Sequence, residues 1–204
     1  MTDAQLALSH IARSISTDSG RVGRVTRPTE SRQVRVSDLA ELFADGSAVE
    51  ALLRTEDPVV YEVDMVEPPG TPKDQLSFGT TVLHPGSIGG EFFFTRGHQH
   101  VPASFPEIYF VCNGEGILVL ADLRGDTIAT TQVPLMAGTV VYVDGAYAHR
   151  VVNTSDADLV FFSAWLMATG HDYETVAQRG FGVRVTVDGA AAVAEARLSS
   201  ADGR

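Results

Sequence analysis

The stretch that decides the fold runs from Gly-His-Gln-His at residues 97–100 to His-Arg-Val-Val-Asn at residues 149–153. Between them lie Glu-Ile-Tyr at 107–109 and the β-branched run Gly-Thr-Val-Val-Tyr-Val at 138–143. Val, Thr, Ile and Tyr favour strands, and glycines favour the turns between strands. The stretch is therefore predicted to form several short β-strands.

Four side chains of this stretch predict a metal site. Side chains alternate between the two faces of a strand, so His98 and His100 project to the same face. Glu107 can join them from the next strand, and His149 from a later one. Three imidazoles and one carboxylate suit a divalent transition metal, with positions left for substrate or water. One His-x-His pair is a weak signal, but the ordered set is specific.

These residues resemble the two sequence elements of the cupin superfamily. The first element is the His-x-His run followed by Glu107 and Gly114, and the second spans residues 138–153. In cupins the second element usually carries Pro-x-Gly before its histidine, and this chain has Asp-Gly-Ala at 144–146. That difference alters a turn and removes no ligand.

The resemblance implies an all-β fold: a cupin-type double-stranded β-helix, or jelly-roll barrel, with a short N-terminal helical extension and a few peripheral helices. The residue pattern agrees, because short apolar strands recur between Gly-rich turns. The predicted strands are 59–66, 78–83, 91–95, 108–112, 117–122, 127–132, 139–143, 149–153, 159–166 and 181–187.

Three segments are predicted. They are an N-terminal extension at 1–56, a cupin barrel with the metal site at 57–188, and a C-terminal tail at 189–204. Residues 21–36 of the extension hold five arginines, namely Arg21, Arg24, Arg27, Arg32 and Arg35. They could form an anion-binding arm, but the favoured interpretation is a solvated, extended arm that pairs with acidic surface, including that of a partner subunit.

Four helices are predicted around the barrel. Apolar spacing predicts the first over 1–16. The second covers 38–54, with Ser37 or Asp38 as N-cap, a capping box between Asp38 and Glu41, and an interruption at Gly46. The other two cover 171–180, with Asp172 as N-cap and Gly180 just past the end, and 190–198.

Composition limits the class of protein. The chain has 204 residues, 44% of them hydrophobic, with a net charge of −11 and a single cysteine, Cys112. So acidic a protein is not expected to bind nucleic acid or an anionic membrane. One cysteine excludes an internal disulfide, and its strand position predicts that it faces away from the metal as a buried thiol. The N-terminus lacks the features of a signal peptide, so a cytoplasmic location is expected.

Further residues narrow the resemblance to the archaeal-type, cupin glucose-6-phosphate isomerase family. They are Thr81, Thr95, Tyr109 and above all Gly-His-Asp-Tyr at 170–173, which cupins in general do not need. The resemblance implies reversible conversion of glucose 6-phosphate to fructose 6-phosphate, a step of glycolysis and gluconeogenesis. It also implies a homodimer with one divalent metal ion per subunit. Fe²⁺ is the first expectation, and Mn²⁺, Zn²⁺ and Ni²⁺ are the alternatives.

The resemblance also implies a role for each matching residue. The implied metal ligands are His98, His100, Glu107 and His149. The implied catalytic residues are Glu107, His171 and Tyr109, and the implied substrate-binding residues are Thr81, Thr95, Gly97 and Tyr173, the first three of them for the phosphate. Arg96 and Tyr61 are further residues that could approach the substrate.

The chemistry of these residue types agrees with that reaction. Aldose–ketose isomerisation moves a hydrogen between C2 and C1, and a divalent metal polarises the sugar oxygens as a Lewis acid. Glu107 would move the proton through a cis-enediol, while His171 would serve ring opening or transfer of the hydroxyl proton. A hydride shift is the rival route, and the sequence does not choose between the two.

Other functions stay open at this point. Trp165 stands where the family can have a tyrosine near the substrate, so the chain could isomerise another sugar phosphate. The same ligand set suits a non-haem metal dioxygenase, which would need an apolar lumen and would leave His171 and Tyr173 without a role. A non-catalytic sugar-binding cupin is the third alternative, although binding alone does not require four ligands.

Overall fold

The computed structural model describes residues 23–25, 27–67 and 75–188. The helices predicted over 1–16 and 190–198 lie outside the described residues. No helix in the described part of the chain is long and apolar enough to cross a membrane.

The described residues form mostly β-strands, as the sequence predicted. In chain order the strands are β1 (Glu30–Arg35), β2 (Val59–Val66), β3 (Leu76–Leu83), β4 (Ser87–Ile88), β5 (Glu91–Phe92), β6 (Gln99–Val101), β7 (Glu107–Asn113), β8 (Glu115–Asp122), β9 (Ala129–Met136), β10 (Val140–Val143), β11 (Ala148–Asn153), β12 (Leu159–Leu166) and β13 (Gly170–Asp172). The predicted bounds of β2 and β12 are confirmed, and most of the others differ by one to four residues at an end.

Two sheets face each other across the core. The larger has six strands in the order β1-β2-β3-β12-β7-β10, and the other has three in the order β11-β8-β9. The pairs β13-β6 and β4-β5 complete the fold, and all the pairings are antiparallel. Fully buried side chains such as Phe94, Leu118 and Leu159 fill the space between the sheets. This antiparallel, two-sheet arrangement confirms the predicted all-β, cupin-type fold.

Side-chain alternation along β7 separates the inside of the barrel from the outside. Glu107, Tyr109 and Val111 are buried, whereas Ile108 and Phe110 between them are exposed. Cys112 lies on the outward side as predicted, but it is only half-buried, so its description as a buried thiol was wrong. The inward side of the large sheet forms one wall of the site.

The helix predicted over 38–54 is instead two helices. They are α1 (Val36–Leu39), which continues into a 3₁₀ turn at Ala40–Leu42, and α2 (Gly46–Leu53). The predicted N-caps and the capping box with Glu41 were wrong, because the chain turns into α1 directly from β1. The Asp38 carboxylate lies inside α1 and accepts a hydrogen bond from the Arg35 N–H at 2.8 Å.

The predicted interruption at Gly46 is confirmed, although Gly46 begins the second helix rather than simply ending the first. The Asp45 side chain caps α2 by accepting a hydrogen bond from the Ala48 N–H at 2.9 Å. Such a cap satisfies one of the backbone donors that a helix start leaves free. The apolar periodicity of residues 38–54 therefore spans two short helices with a polar break between them.

Two predicted strands are shorter or absent. Of 91–95 only Glu91–Phe92 forms a strand, and 181–187 makes no strand beyond an isolated bridge between Thr186 and Glu91. Gly182, at φ +68°, lies in the left-handed region near the start of the segment and interrupts the extended backbone that a ladder needs. Val183 and Val185, which follow, pack on the core without a regular ladder, whereas Val187 is exposed.

The helix predicted over 171–180 begins later, as α3 (Glu174–Arg179). His171 belongs to β13 and not to the helix. The N-cap position is held by Tyr173 rather than by the predicted Asp172. The Asp172 carboxylate, one residue earlier, still accepts a hydrogen bond from the Thr175 N–H at 2.9 Å. Gly180 follows the helix at φ +70°, as predicted for the residue past its end.

Candidate active site

His98, His100, Glu107 and His149 come together inside the barrel. His100 lies on β6, Glu107 on β7 and His149 on β11, and His98 forms an isolated antiparallel bridge with His149. One ligand atom from each residue lies within 4.8 Å of the ligand atoms of the other three. The predicted ligand set is therefore one cluster in space.

The cluster fits a metal ion, because its inner atoms have no other partner. His98 Nε2, His100 Nε2, Glu107 Oε2 and His149 Nε2 are all buried, and none has a hydrogen-bond partner in the described part of the chain. Buried polar atoms without a partner are rare and costly. Nitrogen and oxygen ligands about 2.0–2.2 Å from a shared ion would satisfy all four.

The outer ring nitrogens orient two of the imidazoles. His100 Nδ1 lies 2.6 Å from the carbonyl oxygen of Phe105, and His149 Nδ1 lies 3.2 Å from that of Tyr147. A carbonyl only accepts, so each Nδ1 donates, and each Nε2 is left as the lone-pair nitrogen. Second partners of this kind fix the tautomer of metal-binding histidines.

The charges of the cluster also suit a cation. Burial, and then the neighbouring imidazoles of His149 and His171, hold the pKa of His98 well below its usual value, so the ring is neutral at pH 7. Burial alone would raise the pKa of Glu107, but positive charge on the facing His100 and His149 rings, whose Nε2 atoms lie 3.4 and 3.3 Å from Oε2, outweighs burial and lowers the pKa to about 2. A bound metal ion would supply the positive charge in place of those protons. Neutral imidazoles and an ionised carboxylate are the forms that bind metal.

A cavity of about 330 Å³ opens beside the cluster. The inward side of the large sheet contributes most of its wall, and β13 closes part of its rim. Its lining residues are Glu30, Arg32, Tyr61, Val63, Met65, Glu67, Thr81, Thr95, Arg96, Gly97, His98, Glu107, Tyr109, His149, Phe161, Ser163, Trp165, Met167, Thr169, His171 and Tyr173. Every residue predicted to bind substrate or to act in catalysis is among them.

The three residues predicted at the phosphate line this cavity on neighbouring segments. Thr81 is buried on β3. The Thr95 hydroxyl accepts a hydrogen bond from the Val151 N–H at 3.0 Å, which leaves its own proton free to donate. Gly97 has φ +76°, a conformation that favours glycine. Their roles at a phosphate stay predictions.

His171 and Tyr173, which are predicted to contact the sugar, lie at the rim of the cavity. The His171 ring centroid is 4.4 Å from that of His98 and 5.9 Å from that of Tyr173. His171 also pairs across strands with His100, which explains how a residue outside the main sheets reaches the cluster. Burial, and then the neighbouring His100, lower the pKa of His171, so its imidazole is neutral at pH 7.

Tyr109 and Trp165 flank Glu107. Tyr109 follows it on the inward face of β7, and Trp165 is its cross-strand neighbour on β12. Burial, and then the charge of Glu107, raise the pKa of Tyr109 well above its usual value, so Tyr109 keeps its proton. Trp165 also lies in the cavity wall.

Several lining residues carried no clear signal in the sequence. Ser163 and Thr169 supply hydroxyls, and Thr169 Oγ1 is buried without a partner among the described residues. Arg32 was expected to be solvated and to pair with acidic surface, yet it borders the cavity. Only the parity of β12 could have indicated Ser163, because it lies two residues from Trp165 on the same face.

Comparison with known proteins bears on this site. The family model described as glucose-6-phosphate isomerase matches residues 33–198. A glucose-6-phosphate isomerase of Thermococcus onnurineus is 44% identical over 155 residues, which cover 76% of this chain and 79% of that protein. The glucose-6-phosphate isomerase of Pyrococcus abyssi is 42% identical, and the match covers 72% of this chain and 76% of that protein. That of Sinorhizobium medicae is 38% identical, and the match covers 82% of this chain and 76% of that protein.

Among solved structures, a cupin 2 conserved barrel protein of Salinispora arenicola has a TM-score of 0.37 and 23% identity, covering 53% of this chain and 76% of that one. A structure described for the mechanism of oxalate oxidase has a TM-score of 0.45 and 17% identity, and the match covers 59% of this chain and 58% of that one. These likenesses are partial, and the sequence relatives carry the assignment. The chain belongs to the glucose-6-phosphate isomerase family.

Proposed function

We propose that this protein is a metal-dependent isomerase that interconverts glucose 6-phosphate and fructose 6-phosphate. One observation carries the proposal: four partnerless donor atoms converge beside a cavity lined by hydroxyl, imidazole and phenol groups. Membership of the glucose-6-phosphate isomerase family supports the choice of reaction.

His98, His100, Glu107 and His149 would hold one divalent metal ion per subunit. Their three nitrogens and one oxygen suit Fe²⁺, which we propose first, and also Mn²⁺, Zn²⁺ or Ni²⁺. The ion would supply Lewis-acid polarisation of the sugar's carbonyl and hydroxyl oxygens.

The ionised Glu107 carboxylate is the proposed base. In the open-chain aldose it would remove the proton on C2 and return it to C1, while the proton of the O2 hydroxyl passes to O1. The C2–H bond breaks, the C1–H bond forms, and the atoms balance through a cis-enediol. The protonated Tyr109 beside it would donate a hydrogen bond to the carboxylate or to a sugar oxygen.

The rim residues would bind the rest of the sugar. The neutral imidazole of His171 would accept the proton of the anomeric hydroxyl and return it to the ring oxygen as the bond between that oxygen and the anomeric carbon breaks, and so assist ring opening. The Thr81 and Thr95 hydroxyls and the Gly97 N–H are donors that suit a phosphate, and such charge-assisted hydrogen bonds are strong. The Tyr173 hydroxyl would bind the sugar.

Turnover tests this proposal directly. Fructose 6-phosphate is supplied to metal-loaded protein, and the glucose 6-phosphate formed is measured with a coupled dehydrogenase. The expected result is turnover at ordinary enzyme rates of about 1–1000 s⁻¹. Folded, metal-loaded protein without turnover would contradict the assignment.

A second candidate is isomerisation of another sugar phosphate, and Trp165 favours it. Its indole fills part of the cavity wall where the family can have a smaller tyrosine. The same assay with a panel of hexose and pentose phosphates decides between the two substrates. The hydroxyl-rich lining of the cavity argues against a dioxygenase. Oxygen consumption by the metal-loaded protein would be the measurement that detects one.

We also propose that the protein is a homodimer. On the outward face of the large sheet, Ile108 and Phe110 on β7 are 46% and 41% exposed, and Val140 and Tyr142 on β10 are 64% and 66% exposed. Val140 pairs with Phe110 and Tyr142 with Ile108, so the four form one patch. Contiguous exposed apolar patches mark interaction surfaces, and a second copy of this patch complements it.

Light scattering after gel filtration tests the dimer. Phe110→Lys is expected to give a monomer, because a charge would lie in the apolar interface. Met136→Lys is the matched control, since Met136 is 57% exposed on the other sheet and should leave the dimer intact. A monomeric wild-type protein would contradict the proposal.

In the cell this reaction would belong to glycolysis and gluconeogenesis, and we propose a cytoplasmic location. The half-buried, unpaired Cys112 is compatible with a reducing compartment.

A further inference from the structure

Arg32 lies in register with a residue predicted to bind the phosphate. On neighbouring strands of the large sheet, Arg32 on β1 pairs with Val63 on β2, and Val63 pairs with Thr81 on β3. Directly paired residues share a face, and all three line the same cavity. With strands about 4.8 Å apart, the Arg32 backbone is roughly 10 Å from that of Thr81. A long arginine side chain and a phosphate together bridge such a gap.

The other nearby arginines are already bound to the protein. Arg24 pairs with Glu62 and Asp64, Arg35 donates to the Asp57 carbonyl, and Arg96 donates to the Asp38 carbonyl. The Arg32 side chain, by contrast, makes no hydrogen bond or ion pair with the described residues, and it is exposed. Its five N–H donors are therefore free to bind a ligand.

The cavity needs a local positive charge to hold a dianion. The protein has a net charge of −11, and Glu30 and Glu67 line the cavity as well. Only two of the described arginines, Arg32 and Arg96, line it.

We propose that Arg32 binds the substrate phosphate together with Thr81 and Thr95, and so selects phosphorylated sugars. This inference rests on the proposed function for the identity of the ligand. A guanidinium binds phosphate through two parallel hydrogen bonds, which lysine cannot reproduce.

The test compares Arg32→Gln and Arg32→Lys with Arg27→Gln. Arg27 is exposed and does not line the cavity, so its substitution makes the same change in net charge away from the site. In metal-loaded protein, two quantities are measured: the Kd of inorganic phosphate by calorimetry, and kcat and KM for fructose 6-phosphate. Thermal melting confirms that each variant is folded.

Arg32→Gln is expected to raise both the Kd of phosphate and the KM about tenfold or more, with kcat changed less than about threefold. Arg32→Lys should lie between it and the wild type, and Arg27→Gln should match the wild type. If Arg32→Gln does not fold, Arg32→Lys decides the question by the same measurements.

Equal phosphate affinity in the Arg32 variants and the Arg27 control would overturn the inference, and so would a wild type that does not bind phosphate. The proposed function fails separately, when the wild type does not turn over fructose 6-phosphate. In that case the phosphate Kd still decides the role of Arg32, because it does not depend on turnover.

Discussion

His98 and His149 exchange both of their backbone hydrogen bonds. The His149 N–H donates to the His98 carbonyl at 2.9 Å, and the His98 N–H donates to the His149 carbonyl at 3.2 Å. Their ring centroids lie 4.3 Å apart. The two motifs that lie far apart in the sequence are thus joined at their ligand residues, so the position of each imidazole depends on the other.

His149→Ala is expected to lower the metal content from one ion per chain by 10-fold or more under limiting metal, because it removes one of four ligands. Metal analysis after dialysis measures this. His84→Ala is the control, since His84 lies outside the cluster and contacts Asp158 at 2.9 Å. Unchanged metal content in His149→Ala would remove it from the ligand set.

Glu107→Gln is expected to reduce kcat by at least about 10²-fold, since proton transfer by a positioned base contributes about that much or more. Glu115→Gln, an exposed substitution on β8, should have no effect on kcat.

Turnover of the wild type in D₂O, followed by NMR, should place deuterium on the product carbon. Activity without deuterium uptake would point instead to a hydride shift, and substantial activity in Glu107→Gln would rule out Glu107 as the base.

Gly97→Ala is expected to lower the free energy of unfolding by about 2 kcal/mol or more and to weaken metal binding. A Cβ at Gly97 would lie 2.9 Å from the His149 carbonyl oxygen and 2.7 Å from the Phe181 ring, in a backbone with φ +76°. Gly138→Ala is the control, because Gly138 has φ +89° but open space around it. Equal melting temperatures for the two variants would show that the contact with His149 does not matter.

Trp165 is the only tryptophan of the chain and lies in the cavity wall, with its ring 6.5 Å from that of His171. Adding fructose 6-phosphate should therefore change its fluorescence with saturation near KM. Trp165→Tyr should abolish that signal and lower KM about 2–10-fold, because it adds a hydroxyl that can hydrogen-bond the substrate at the cavity wall. If saturating substrate does not change the Trp165 fluorescence of an active protein, the sugar binds away from Trp165.

The metal cluster was predictable from a short sequence motif and from the order of the ligands along the chain. His98 and His100 lie two residues apart on an extended segment, and the order of the later ligands matched a known family. Thr81 and Thr95 were predicted only through the resemblance to that family, and both line the cavity.

The position of Arg32 was not predictable, because it depends on the register between β1 and β2. A run of arginines is compatible with a solvated arm, and only long-range pairing brings Arg32 into line with Thr81. The strand predicted at 181–187 failed for a related reason. Alternating valines indicate burial on one side, but they do not supply a neighbouring strand.

The most direct test of the account is a metal titration followed by turnover. Protein is stripped with a chelator and titrated with Fe²⁺ or Mn²⁺ without oxygen, while conversion of fructose 6-phosphate and bound metal are measured together. The account predicts no activity without metal, and full activity at one ion per chain. Full turnover in metal-free protein, or metal bound at that stoichiometry with no turnover, would contradict it.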